Sequence, residues 1–418
     1  MGGYRVAILG AGQQGMAHAR AYRDSANMAV VALCDLDRDR LDAGLRELDV
    51  RGYADFGEML AREQPDVVHA VTVPSIPRAQ WVQPAARAGA KVLVIEKPIA
   101  LRPKEAAELA AAQETTGLPI IVNHQRRYLP FLDRWEELQA GDALGDIHFV
   151  RAATDGVSDM ATHLMDLVLA VLGDQPPVAV WATAGGACEY HDPTRLCPDN
   201  LLATYTFPGG VRVLFEAGTT PLGTSDFPGT GGRLAGVPGS VMSLDVWGTR
   251  GRCWWRERGS WGYQTEGMAQ PHIEQTSLGQ AMPRSFQSIA EWLERGTPHR
   301  CRLDLAQVGF QALIAGYRSA LYGRRLEAPI DSLELTDAEW EALREQVAHG
   351  WLDVREAAAE LAVSEAMVCQ LIERGQLQGH QPVPYVPWVV RQETLAAPAL
   401  RAAAQAIEAG SPARNGSG

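Results

Sequence analysis

Short apolar runs alternate with stretches of helical repeat over the first third of the chain. Val6-Ala7-Ile8-Leu9 gives way to a glycine-rich turn and a helix carrying Met16, Ala19 and Tyr22. Apolar runs then return at Ala29 to Cys34, Val67 to Val73, Lys91 to Ile95 and Ile120-Ile121-Val122. Strands that are apolar throughout, separated by amphipathic helices, predict a parallel sheet covered on both faces. From Trp181 to about Glu274 the pattern changes to runs rich in Val, Tyr, Phe and Trp, such as Leu201 to Phe207, Val211 to Glu216 and Ser243 to Trp247. These predict a second, broad sheet. Helices are expected over Arg284 to Leu293 and Leu305 to Leu321, and the Gly/Pro/Thr-rich stretch from Thr219 to Gly239 reads as a long loop.

At 418 residues the chain is too long for one ordinary core. The patterning divides it into a first α/β domain over 1–123, a second domain over 124–335, a small helical module over 336–400 and a disordered tail over 401–418. With 46% hydrophobic and 21% charged residues the balance is globular. No stretch is apolar enough to span a bilayer, and Met1 to Arg5 carries no basic leader or cleavage site, so the expectation is a cytoplasmic protein away from membranes. The net charge of -12 disfavours binding to phosphate backbones. Six cysteines lie scattered at 34, 188, 197, 253, 301 and 369. Cys188, His191 and Cys197 lack a second ligand pair, so reduced packing thiols and no metal are expected.

Candidate chemistry starts at the first turn. Gly10-Ala11-Gly12-Gln13-Gln14-Gly15 follows a strand, opens a helix, and is succeeded by a strand ending at Asp35. The three glycines serve, in turn, the tight turn, the close approach of backbone to a pyrophosphate, and helix-to-strand packing. Helix dipole and free N–H groups favour the phosphates. Asp35 can accept from ribose hydroxyls and would repel a 2′-phosphate, which favours NAD; Arg38 and Arg40 keep NADP open. A glycine turn alone also occurs as a plain loop, so the context carries the reading.

Thr72-Val73-Pro74 and Glu96-Lys97-Pro98 close two further strands where open α/β sheets bind ligands. A charged lysine at the end of a buried strand is expected to serve chemistry. For Glu96 the bland alternative is a surface acid pairing with Lys91 or Arg87. Asn123, His124 and Arg127 leave the next strand beside the same crevice and are candidate substrate-wall residues; for Arg127 a structural salt bridge is the competing reading. Asp159, His163 and Asp166, spaced by four and three, fall on one helical face. A histidine among apolar neighbours is usually a packed one, and Asp159 could be a helix cap. A nicotinamide pocket with Lys97 beside it turns His163 toward catalysis.

Taken together, Gly10 to Gly15, Asp35, Thr72 to Pro74, Glu96-Lys97-Pro98 and Asp159-x-x-x-His163-x-x-Asp166 resemble the glucose-fructose oxidoreductase, inositol dehydrogenase and MocA (Gfo/Idh/MocA) family, through about Tyr317 to Ala320. The resemblance implies an α/β fold: a Rossmann domain, then an α/β domain with a large open, mostly antiparallel sheet that builds homodimers or homotetramers. It also implies a cis Lys97-Pro98 bond and an NAD(P)-dependent hydride transfer at a hydroxyl-bearing carbon of a sugar, sugar derivative or cyclitol. In that scheme Gly10, Gly12, Gln13, Gln14, Gly15, Asp35, Thr72, Val73, Pro74, Glu96 and Lys97 hold cofactor. Lys97 polarises the substrate oxygen, His163 is the general acid or base, and Asp159 orients the His163 ring or hydrogen-bonds an adjacent substrate hydroxyl. Asn123, His124 and Arg127 complete the substrate wall. Some members cleave glycosides without net redox, which stays as an alternative. Arg78 stands where the family commonly has histidine, and the approach to Asp159 is short, predicting an open pocket. Trp254, Trp255, Trp261 and Tyr263 read as an intersubunit contact, with stacking on a sugar as the other option.

The segments Trp351 to Ala358, Leu361 to Ser364 and Val368 to Gly375, with Trp388-Val389-Val390 as a wing strand, resemble an excisionase or MerR-type helix-turn-helix. Between 337 and 418, however, there are 11 acidic and 6 basic residues, a net of -5, with no lysine. Contact with protein is therefore favoured over DNA. A cofactor-sensing regulator is the competing class; the co-occurrence of Lys97, Asp159 and His163 favours the enzyme.

Overall fold

The computed structural model describes residues 3–154, 160–185, 200–218, 242–328, 336, 338–339, 342–343, 350–380, 388–396 and 400. Asp159, Cys188, His191, Cys197, the Thr219 to Gly239 loop and the tail from 401 lie outside them.

The first sheet has strands β1 (Tyr4–Leu9), β2 (Met28–Cys34), β3 (Arg51–Tyr53), β4 (Val67–Ala70), β5 (Val92–Ile95) and β6 (Ile120–Val122), all parallel, in the order β3-β2-β1-β4-β5-β6. Helices α1 (Gln13–Arg23), α2 (Arg38–Glu47), α3 (Phe56–Glu63), α4 (Val82–Arg87) and α5 (Pro103–Thr116) connect them. The strands read as continuous apolar runs because both faces are covered: β4 and β5 are buried at every position. β3 is an addition to the sequence reading; three residues with exposed Arg51 and Gly52 carry no apolar signal. β2 and β4 flank β1 on opposite sides because the chain, after β3, crosses back over β1 to form β4, so a crevice opens at the carboxyl ends of β1 and β4.

After α6 (Pro130–Ala140), the second sheet runs β7 (Ile147–Thr154), β8 (Ala179–Gly185), β9 (Asn200–Thr206), β10 (Arg212–Gly218), β11 (Met242–Gly248), β12 (Gly251–Arg256), β13 (Ser260–Thr265), β14 (His272–Gln275) and β15 (Leu326–Glu327). Its nine strands lie in the order β14-β13-β12-β11-β7-β10-β9-β8-β15; β7 and β10 pair parallel and the rest antiparallel. Helices α7 (Met160–Val171) and α9 (Leu303–Tyr322) pack on one face. Strand alternation turns Trp181 and Leu202 to the other, where they are 46% and 42% exposed. The aromatic cluster departs from expectation. Trp255 and Trp261 lie in the core and cannot serve as a surface, since the period of two puts Trp255 inward and leaves only Trp254 half-buried on the other face.

The segment over 281–302 belongs to the first domain's packing although it follows the second sheet. Helix α8 (Ala281–Arg295) lies on α1, stacking Phe286 on Tyr22 at 3.9 Å between ring centroids, and Ile289, Ala290 and Cys301 join the cluster of Val6, Ile8 and Val94. In the carboxyl-terminal part, helices Val354–Leu361 and Glu365–Glu373 pack with a three-stranded sheet around their own small core. Ser364 caps the second of these helices by accepting from Met367 N–H. No helix among the described residues is long and apolar enough to cross a membrane.

Candidate active site

A cavity of about 800 Å³ lies over the carboxyl ends of the parallel strands and continues to α7 of the second domain. The glycine turn forms its floor. Gly10 has φ +103°, and a β-carbon there would stand 2.1 Å from Val71 O; one on Gly15 would stand 1.8 Å from Gly10 O. Both positions exclude any side chain. A β-carbon on Gly12 would meet nothing within 4 Å, because it would project into the cavity. Gln13, Gln14 and Gly15 line the same floor. Helix α1 starts here with no side-chain cap and no acid in its first turn, leaving its N–H groups and dipole open to an anion. These residues fit a dinucleotide.

Asp35 is fixed by the backbone: Oδ2 accepts from Ala11 N–H at 2.7 Å and Oδ1 from Asp37 N–H at 2.8 Å. Arg40 lines the cavity but is paired with Asp37 at 3.1 Å. Leu36, 92% exposed, and Val73 present apolar atoms at the lip, a surface suited to a flat heterocycle. Thr72, Val73 and Pro74 line the wall as expected. Arg78 holds their loop from beneath: it is buried and donates to Thr72 Oγ1, Val73 O and Ile76 O at 2.7, 2.8 and 3.2 Å. Burial lowers its pKa to about 10, partly opposed by Glu96 and Glu105.

Beyond β4 the wall is formed by Glu96, Lys97 and Asn123, and the Lys97-Pro98 bond is cis. Glu96 is not a surface acid; Lys91 pairs with Asp66 instead. Glu96 Oε1 accepts from Asn123 Nδ2 at 2.8 Å and lies 3.5 Å from Nε2 of buried His18. His163 comes to the same cavity from α7. It is fully enclosed, and burial first, then Arg126, Lys97 and His124, pushes its pKa well below the ordinary imidazole value. Its Nδ1 has no hydrogen-bond partner among the described residues.

Two expected substrate residues do not reach the cavity. Arg127 donates through Nε to both oxygens of Asp166 at 2.8 and 2.9 Å and pairs with Asp174 at 2.7 Å, inside the protein. His124 sits 3.4 Å from Asp166, its ring 5.3 Å from that of His163. Burial opposes ionisation of Asp166, but Arg127 and His124 outweigh it and lower its pKa. The cause of the exchange is the 3₁₀ turn Gln125–Tyr128, which sends Arg126 and Arg127 in different directions. Arg126, paired with buried Glu257, and Gln125 line the cavity, as do His18, Trp81, Met160 and Met282. Sequence reading passed over Arg126 because two adjacent arginines carry no signal about which faces inward. It also passed over His18, one turn beyond Gln14, although that spacing on α1 was readable.

Residues 4–124 match the Gfo/Idh/MocA family model, described as an oxidoreductase family with an NAD-binding Rossmann fold. D-apiose dehydrogenase of Paraburkholderia graminis is 30% identical over 191 residues, 41% of this chain and 50% of that protein. The rhizopine catabolism protein MocA of Rhizobium meliloti is 26% identical over 190 residues, 41% of this chain and 58% of its own length. The chain thus spans between half and two thirds of the curated relatives it matches. An oxidoreductase from Agrobacterium radiobacter, solved with NAD+, L-tartaric acid and magnesium, shares the fold with a TM-score of 0.65 at 17% identity, over 79% of this chain and 99% of that one.

Arg127→Met should cost about 3–5 kcal/mol of unfolding free energy in urea, because it strands the buried Asp166 carboxylate. Affinity for NAD+, measured by fluorescence titration, should stay unchanged. A cost below about 1 kcal/mol would mean that this pair is not the structural tie described.

Proposed function

We propose that this chain, whose residues 4–124 are a Gfo/Idh/MocA-type NAD-binding domain, moves a hydride between the nicotinamide and a hydroxyl-bearing carbon of a sugar, sugar derivative or cyclitol. The observation that carries the reading is the convergence of Lys97 from the first domain and His163 from the second on the cavity floored by Gly10, Gly12 and Gly15. The similarity to a D-apiose dehydrogenase supports the substrate class. NAD is favoured over NADP because Asp35 closes the ribose end and Arg40 is engaged by Asp37. Bound NAD supplies the hydride acceptor.

The side chains divide the remaining work. The Lys97 ammonium donates to the reacting hydroxyl oxygen and stabilises the negative charge that grows on it. His163, held neutral by its surroundings, takes the hydroxyl proton as general base and returns it in the reverse direction. Met160, Trp81 and Met282 dry the walls, which strengthens both interactions. Arg126 and Gln125 offer polar atoms to the other hydroxyls; Nε of the first and Oε1 of the second have no partner among the described residues. A second copy of the chain would cover the exposed sheet face at Trp181 and Leu202.

Offering NAD-loaded protein a panel of sugars and cyclitols should raise absorbance at the reduced-nicotinamide band with at least one of them. Silence across the panel, with NAD+ binding confirmed, would refute the redox reading. With an active substrate, Lys97→Met and His163→Ala should each lower kcat by about 10²- to 10⁴-fold. An unchanged kcat in Lys97→Met would make Lys97 a bystander. The acid limb of kcat/KM should lie below pH 6.5, since the depressed pKa keeps His163 neutral until then. Activity lost already at pH 7 would contradict that assignment. Trp181→Glu should convert the oligomer to monomer by light scattering, and a wild-type monomer would remove the sheet-face contact.

A further inference from the structure

Behind the Glu96 wall runs a line of buried polar groups that the proposed chemistry leaves unused. His18 of α1, His69 of β4 and Asn123, just past β6, are all buried. His18, Glu96 and Asn123 also line the cavity, so the line is reachable from it. One ligand atom from each of His18, His69 and Glu96 can be chosen so that all lie within 4.8 Å of one another. Their scatter along the chain gives no sign of this in the sequence.

The hydrogen bonds show where the lone pairs are. Asn123 Nδ2 can only donate, and it lies 2.8 Å from Glu96 Oε1 and 3.3 Å from His18 Nε2. His18 Nε2 is therefore the acceptor nitrogen of its ring. Burial, the largest influence on both histidines, keeps them neutral, so the His18 proton sits on Nδ1, which meets His69 Nε2 at 3.3 Å. His69 in turn carries its proton on Nδ1, 3.1 Å from the Tyr22 hydroxyl. Lone pairs on both Nε2 atoms thus gather around Glu96 Oε1, which is 3.5 Å from that of His18 and 3.9 Å from that of His69.

These separations approach those of a metal's ligand shell. Tetrahedral ligands held about 2.0 Å from zinc stand about 3.3 Å from one another. Asn123 completes the set: its Oδ1 is buried with no hydrogen-bond partner among the described residues, and a half-turn of the amide puts that oxygen where Nδ2 stands. A cation then takes the place of the protons that these lone pairs accept. Two imidazoles, a carboxylate and an amide oxygen suit a borderline dication such as zinc better than magnesium or calcium, which take oxygen throughout. His69 also has the outer support that metal-bound imidazoles use, its Nδ1–H resting on Tyr22. Lys97 opposes a cation beside His18 and Glu96 offsets it, while Arg126 is already paired with Glu257. We propose that His18, His69, Glu96 and Asn123 form a zinc-type site in the wall of the cavity, filled from the cavity side. The site stands independently of hydride transfer.

The test uses the full chain, treated with chelator and titrated with zinc chloride. Calorimetry should show saturable uptake of one ion per chain. X-ray absorption of the zinc-loaded protein should show nitrogen and oxygen neighbours at about 2.0–2.1 Å with the outer-shell pattern of imidazole. Sulfur at about 2.3 Å would put the ion on cysteines and overturn the site. Tyr22→Phe, which removes only an outer hydroxyl, should weaken zinc by about 10- to 100-fold, and His69→Gln by more. Asn123→Asp acts in the opposite direction: a charged fourth ligand should tighten zinc by about tenfold or more, and it keeps the test decisive if His69→Gln does not fold. Unchanged or weaker affinity in Asn123→Asp overturns the four-ligand set. Wild type that takes up no zinc, or Tyr22→Phe that binds as wild type does, overturns the site itself, whatever a separate NAD+ titration shows.

Discussion

Two missing β-carbons set the geometry on which the rest of this molecule depends. Gly10 lies against Val71 O, and Gly15 lies against Gly10 O, at distances that no side chain could share. Helix α1 can therefore begin immediately at the end of β1. Its amino terminus faces the crevice, and its inner face brings Tyr22 and His18 over His69 of β4. The phosphate cradle and the polar line behind Glu96 are products of one close approach.

Much of this was legible in the chain because the parallel sheet imposes a simple rule. Residues that follow an apolar run stand at a strand end, and strand ends in such a sheet meet at one crevice. Gly10, Asp35, Thr72, Glu96, Lys97 and Asn123 all follow such runs, and all line the cavity. His163 was reachable by helical spacing. The difficulties arose where a local conformation, invisible to periodicity, decides direction. A 3₁₀ turn separates Arg126, which faces the cavity, from Arg127, which is buried in an ion pair. Likewise, alternation in β12 and β13 takes Trp255 and Trp261 out of any surface role, although their composition suggested one.

The site also shows how one environment assigns different states to similar groups. His163, His18 and His69 are kept neutral chiefly by burial, whereas Asp166, equally buried, is kept charged by Arg127 and His124. Desolvation acts on all of them; nearby cations reinforce it at His163, where they disfavour an imidazolium, and outweigh it at Asp166, where they favour a carboxylate. A neutral imidazole and a charged carboxylate thus lie one turn apart on α7.

Helix α8 follows the entire second sheet in the chain, yet Phe286, Ile289 and Ala290 complete the core of the first domain. The nucleotide-binding half is consequently not a portable cassette. Its interior is finished only when the polypeptide returns from the other half, so the two halves share a folding unit as well as a cavity. Recombination or grafting at the sequence boundary near Asn123 would separate Tyr22 from the ring that covers it.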